Sequence, residues 1–120
     1  MMKQIVSDNE INFNDLEKEI YEIAFGIIGY AGDSRSLSIE AVKAAEEGNY
    51  DAAAEKLKKA EEELNNAHAI QTDMLQKEAA GDKVEVNLLM VHAQDHFAMA
   101  LMQKDFAEQM ITMYKRIGGQ

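Results

Sequence analysis

The chain has 120 residues, without cysteine, proline or tryptophan, and 47% of them are hydrophobic, the size and make-up of one domain around one core. Twelve basic residues stand against 22 acidic ones, a formal net charge of −10 that repels nucleic-acid backbones and anionic lipid. The missing cysteine excludes disulfides, thiolate metal sites and a cysteine nucleophile. Polar side chains interrupt every apolar run short of the roughly 20 residues of a membrane span, and the start MMKQIVSDNE lacks the pattern of a signal peptide, so a cytoplasmic protein with no membrane insertion is expected.

Abundant Ala, Glu, Leu, Lys and Met favour helix nearly everywhere. Residues 1–13 are expected to form a flexible N-terminal segment and 14–120 a single helical domain. The first helix starts near Asn14 or Asp15 and carries Leu16, Ile20, Ile23, Ala24, Ile27 and Ile28 at spacings of three and four. Gly26, Gly29 and Gly32 point to close approach of a neighbouring backbone or to a kink near Ala31–Ser34, after which Leu37, Ile39, Ala41, Val42 and Ala45 resume the pattern as far as Gly48. The second helix starts at Asn49 or Asp51, carries Ala53, Leu57, Ala60, Leu64 and Ala67, and closes at Gly81-Asp82. Its charged positions, from Glu55 to Glu63, suit a solvated face.

The third helix runs from about Val84 to Ile117 before Gly118-Gly119. Leu88, Val91, Met99, Met102, Phe106, Met110, Met113 and Ile117 form one stripe, expected to face the core. Met90 and Leu101 project to the opposite side, so this helix is expected to have apolar neighbours on more than one face, as in an oligomer. The architecture expected is all-α, an antiparallel three-helix bundle.

The candidate chemistry lies in Val91-His92-Ala93-Gln94-Asp95-His96. His92 and His96 are four apart, Asp95 is three beyond His92, and at about 100° per residue all three fall within about 60° of the stripe centre. Histidine, with a reference pKa of about 6.5, can be neutral near physiological pH, leaving one ring nitrogen to attack an electrophile while a neighbouring imidazole donates to the product. Phosphoryl transfer is one such use, and histidines satisfied by hydrogen bonds in the core are the alternative. Asp95, flanked by apolar positions, needs a partner: a histidine, a metal ion, or the same aspartate of symmetry-related subunits around a metal. A zinc protease is disfavoured because position 93 is Ala where HExxH needs its glutamate, and no phosphate-binding loop or GxSxG elbow occurs. His68 reads as a bundle residue. Ala41 to Leu64 is similar to a single tetratricopeptide hairpin, so the competing class is a noncatalytic helical interaction module, which the methionine-rich surface of the third helix would suit.

The segment HAQDH, His92 to His96, resembles the hallmark of the lactose/cellobiose-specific enzyme IIA family of the bacterial sugar phosphotransferase system (PTS). Tyr30-Ala31-Gly32-Asp33-Ser34-Arg35-Ser36, Ala44-Ala45-Glu46-Glu47-Gly48-Asn49-Tyr50, and Ala67-His68 followed by Gln71-Thr72 and Met74-Leu75 extend the likeness in the family order. The resemblance implies a phosphocarrier whose His92 accepts a phosphoryl group from phosphohistidine on HPr and passes it to a cysteine of enzyme IIB, for uptake of a disaccharide. It gives Gln94 and His96 supporting roles at the phosphoryl group. It further implies a homotrimer of three-helix subunits, with Asp95 of the three subunits sharing one magnesium ion (Mg2+) on the three-fold axis. The chain departs mildly from the family at Phe97-Ala98-Met99, where many members continue Leu-Met. Ala93 leans toward the cellobiose or chitobiose branch rather than the lactose branch.

Overall fold

The computed structural model describes residues 13–119, with side chains from residue 18 onward. Apart from Phe13, the expected flexible segment lies outside the described residues. Three helices and no strand make up the described chain: α1 (Phe13–Glu46), α2 (Tyr50–Ala79) and α3 (Leu88–Ile117). The expected three-helix bundle is the observed fold. Cross-helix pairs give its sense: Gly26 lies by Ile70 and Ser34 meets Ala60 between α1 and α2, and Tyr50 meets Tyr114 and Gln71 meets Gln94 between α2 and α3. Thus α2 runs antiparallel to both neighbours, while α1 and α3 run parallel.

The turns follow from local chemistry. Gly48 (φ 81°) and Gly81 (φ 97°) take the left-handed conformation that a Cβ disfavours. Beyond them, Asn49 N–H donates to Ala44 O at 2.9 Å and Asp82 N–H to Lys77 O at 3.0 Å, closing the last carbonyls of α1 and α2. Asn49 then caps α2 by accepting from Ala52 N–H, and Asn87 caps α3 by accepting from Met90 N–H at 2.8 Å. This second cap corrects the expected start of α3 near Val84. The β-branched Val84 and Val86 remain outside the helix, and the asparagine side chain that satisfies an orphan N–H fixes the first turn.

The glycines do not interrupt α1, which continues as one helix through Gly32. Its buried positions, Ala24, Ile27, Ala31, Ser34, Ser38, Ala41 and Ala45, alternate spacings of three and four past all three glycines. Of these glycines only Gly26 meets a close neighbour: a Cβ there would lie 3.3 Å from Ile70 Cδ1, whereas Gly29 and Gly32 have nothing within 4 Å.

The largest correction concerns α3. Its buried face is Met90, Ala93, Phe97, Ala100, Ala107 and Ile111, and the stripe expected to face the core is exposed along its whole length, from Leu88 (85%) to Ile117 (78%). Alanines at 93, 100 and 107 let the helix axes approach closely, and Met90, Phe97 and Ile111 fill the space between them, so the seam runs along the alternating small and large positions and not along the longer apolar stripe. An apolar core around Ile27, Leu64, Ala93 and Phe97 supports one end of the bundle; a smaller one around Ala41, Ala53 and Ile111 supports the other. Between them lies a polar waist, where Ser34 Oγ donates to Ala60 O and Arg35 Nε to Gln103 Oε1, while Lys104 bridges Glu61 and Glu108.

Candidate functional site

The HAQDH segment occupies the second and third turns of α3, where Ala93 and Phe97 are buried in the larger core and hold the helix against its neighbours. That anchoring fixes the directions of the side chains between them. His92 is exposed and His96 half-buried, and their Nε2 atoms are 3.0 Å apart. The rings meet edge to face, with centroids 4.5 Å apart and planes at 87°. One Nε2 therefore donates and the other accepts. His96 Nδ1 is buried with no hydrogen-bond partner among the described residues.

The tautomer follows from that orphan atom. If His96 carried its proton on Nδ1, a buried N–H would have no acceptor, a rarer and costlier situation than a buried lone pair without a donor. The arrangement satisfying more groups puts the proton on His96 Nε2, from which it donates to His92 Nε2. His92 then carries its proton on Nδ1, and its Nε2 lone pair accepts from His96 until an electrophile takes that donor's place. Such a pair suits attack on an electrophile whose product bears negative oxygen.

The other expected residues are placed differently. Gln94 turns toward α2, where its Oε1 accepts from Gln71 Nε2 at 2.8 Å and its Nε2 lies 3.6 Å from Met90 Sδ. Within one chain it is not brought to the histidine pair. Asp95 is exposed on the apolar stripe, and the burial expected for it is not present in the single chain. No group of three or more His, Asp or Glu side chains that could hold a metal ion occurs among the described residues, so one chain provides no complete metal-ligand set. His68 places its ring 5.7 Å from that of Phe97, a packing contact behind the site. Gln71, part of the family likeness in the sequence, is given no place at the site there. Its contact with Gln94 joins residues 23 apart on two helices, and no periodicity signals such a pair.

Residues 22–115 match the family described as PTS system, lactose/cellobiose-specific IIA subunit. The chain belongs to this IIA family. It is 45% identical over 102 residues to the lichenan-specific phosphotransferase enzyme IIA component of Bacillus subtilis strain 168, covering 85% of this chain and 93% of the relative. The fold agrees with that of the crystal structure of the PTS cellobiose-specific enzyme IIA from Bacillus anthracis, with a TM-score of 0.80 and 38% identity over 82% of this chain and 91% of that one. It also resembles a chain in the solution structures of the IIA(chitobiose)–HPr complex of Escherichia coli, with a TM-score of 0.72, 29% identity, and coverage of 82% and 96%. No helix among the described residues of this chain is long and apolar enough to cross a membrane.

Proposed function

We propose that this IIA protein is a cytoplasmic phosphocarrier in which Nε2 of His92 takes a phosphoryl group from phosphohistidine on HPr and gives it to a cysteine of enzyme IIB. The observation that carries the reading is the 3.0 Å contact between His92 and His96. The His92 lone pair forms the new N–P bond as the donor's N–P bond breaks, and the donor nitrogen keeps that electron pair. His92 releases its Nδ1 proton to solvent as the ring acquires phosphorus, and the donor ring takes one up, so protons balance. The His96 Nε2–H, no longer matched by a lone pair, donates to a phosphoryl oxygen. The same steps run in the opposite sense toward the IIB thiolate. Ala93 and the relatives named for cellobiose and chitobiose favour uptake of a disaccharide of that type. IIA does not bind the sugar itself.

The working form is a homotrimer that buries the exposed stripe of α3. Leu88, Met99, Phe106 and Ile117 mark its mid-line, with Asp95 about 30° from it. Closing the stripe around a three-fold axis gathers three carboxylates, which repel unless a cation joins them, and carboxylate oxygens suit Mg2+. Asp95 of each subunit would hold that ion, which supplies charge balance to the assembly and has no part in the transfer. His92 and His96 lie on one side of the mid-line and Gln94 about 130° to the other. In a closed ring one flank of each copy faces the opposite flank of the next, and the reading requires the long Gln94 side chain to reach round that flank to the histidine pair of the neighbouring subunit. Its supporting role at the phosphoryl group is then played across the boundary.

The test is intact-protein mass spectrometry after incubation with phosphoenolpyruvate, enzyme I and HPr, under conditions that preserve phosphohistidine. One phosphoryl group is gained by the wild type, only with HPr present, and none by His92→Ala. Uptake by that variant, or partner binding without uptake by the wild type, contradicts the proposal.

A further inference from the structure

We infer that Gln71 is a positioning residue of the phosphoryl site: it fixes which end of the Gln94 amide faces outward, so that Gln94 presents an N–H donor, not a carbonyl acceptor, to the phosphoryl group. The inference rests on the proposed transfer at His92 and deepens it. The two ends of a glutamine amide are nearly the same size, and turning it over costs little sterically. Whatever neighbours it therefore sets its polarity. Gln71 Nε2 donates to Gln94 Oε1 at 2.8 Å and occupies the acceptor end. Gln94 Nε2 lies 3.6 Å from Met90 Sδ, a weak acceptor that takes one N–H. The second N–H of Gln94 has no partner among the described residues. A phosphoryl group carries negative oxygens, so a fixed donor stabilises it, and an amide turned over would place a carbonyl oxygen against it.

The relation is polar rather than steric, and isosteric replacement exposes it. In Gln71→Glu the side chain keeps its shape but can only accept, so Gln94 turns its NH2 toward α2 and shows its oxygen at the boundary. We expect phosphoryl uptake from phospho-HPr to slow about tenfold to a hundredfold, somewhat less than the loss of a donor in direct contact. The lifetime of the phosphohistidine should shorten and its 31P resonance shift, while helicity, thermal midpoint and assembly stay as in the wild type. Gln71→Arg keeps donors toward Gln94 and should remain within a few-fold of wild type.

A double-mutant cycle separates action through Gln94 from a direct effect of the new charge. In a Gln94→Ala background, Gln71→Glu should produce no further slowing. Additive losses, or a Gln71→Glu variant as fast and as long-lived in its phosphorylated form as the wild type, overturn the inference. A wild type that takes up no phosphoryl group, or a His92→Ala variant that does, overturns the underlying transfer reading and this inference with it. Normal wild-type uptake with a silent glutamate variant removes Gln71 alone.

Discussion

His96 touches His92 through one hydrogen bond and carries no obligatory charge, so its replacement isolates what a single donor contributes to the pair. His96→Leu keeps a side chain of comparable bulk at this half-buried position and deletes the donor to His92 Nε2. Uptake should still occur at His92 but about 100-fold more slowly, and the phosphohistidine should hydrolyse faster, as time-resolved mass spectrometry would read. Unchanged kinetics would reduce His96 to a packing residue. The pair itself was legible in the sequence because an i, i+4 spacing needs nothing beyond helix geometry. Gln94 was not legible in the same way. It lies two residues from His92 and nearly opposite on the helix, and a side chain on α2 determines its orientation.

Along each helix the informative positions are the small ones. The sequence shows α1, α2 and α3 as periodic segments, and their approximate ends follow from asparagine caps and left-handed glycines. What it concealed was the buried face of α3, because size and hydrophobicity drew attention to the longer stripe of methionine and phenylalanine while half of the seam is alanine. The same reasoning bears on Gly29, exposed in mid-helix with nothing within 4 Å of an added Cβ. Gly29→Ala should stabilise the fold by about 0.5–1 kcal/mol in urea unfolding, the helix-propensity difference. A loss of stability would indicate that another chain packs on that face. At the polar waist, Lys104 is held above its ordinary pKa of 10.5 first by its hydrogen bond to Glu108, then by the charges of Glu108 and Glu61, against a burial cost. A raised folded pKa means that this stabilisation is complete below the unfolded value and is lost as pH rises through the folded one. Wild type should therefore lose stability as pH rises above the ordinary lysine value of 10.5, a loss that Lys104→Met does not show, measured as paired urea midpoints.

At the scale of the whole molecule, the exposed stripe and the net charge oppose one another. Burying Met99, Met102, Phe106, Met110 and Met113 against other copies removes a long apolar face from water, while every added copy brings a further formal charge of −10. Salt screens the repulsion and leaves the apolar term in place, so association should strengthen as ionic strength rises. Two substitutions separate these forces. Phe106→Asp puts a charge into the stripe away from the histidine pair, and sedimentation should find a helical monomer of 13.4 kDa with at least tenfold slower phosphoryl uptake, because Gln94 of a neighbour is no longer at hand. Asp95→Leu removes the three carboxylates that the proposed trimer gathers at its axis, and it should leave a folded trimer that no longer binds Mg2+ and assembles with less dependence on salt. If the Asp95→Leu chains were monomeric and had lost helicity, the carboxylates would have to be holding the bundle together; if the Phe106→Asp monomer took up phosphoryl groups at the wild-type rate, each chain would carry a complete site and Gln94 would have no role across the boundary.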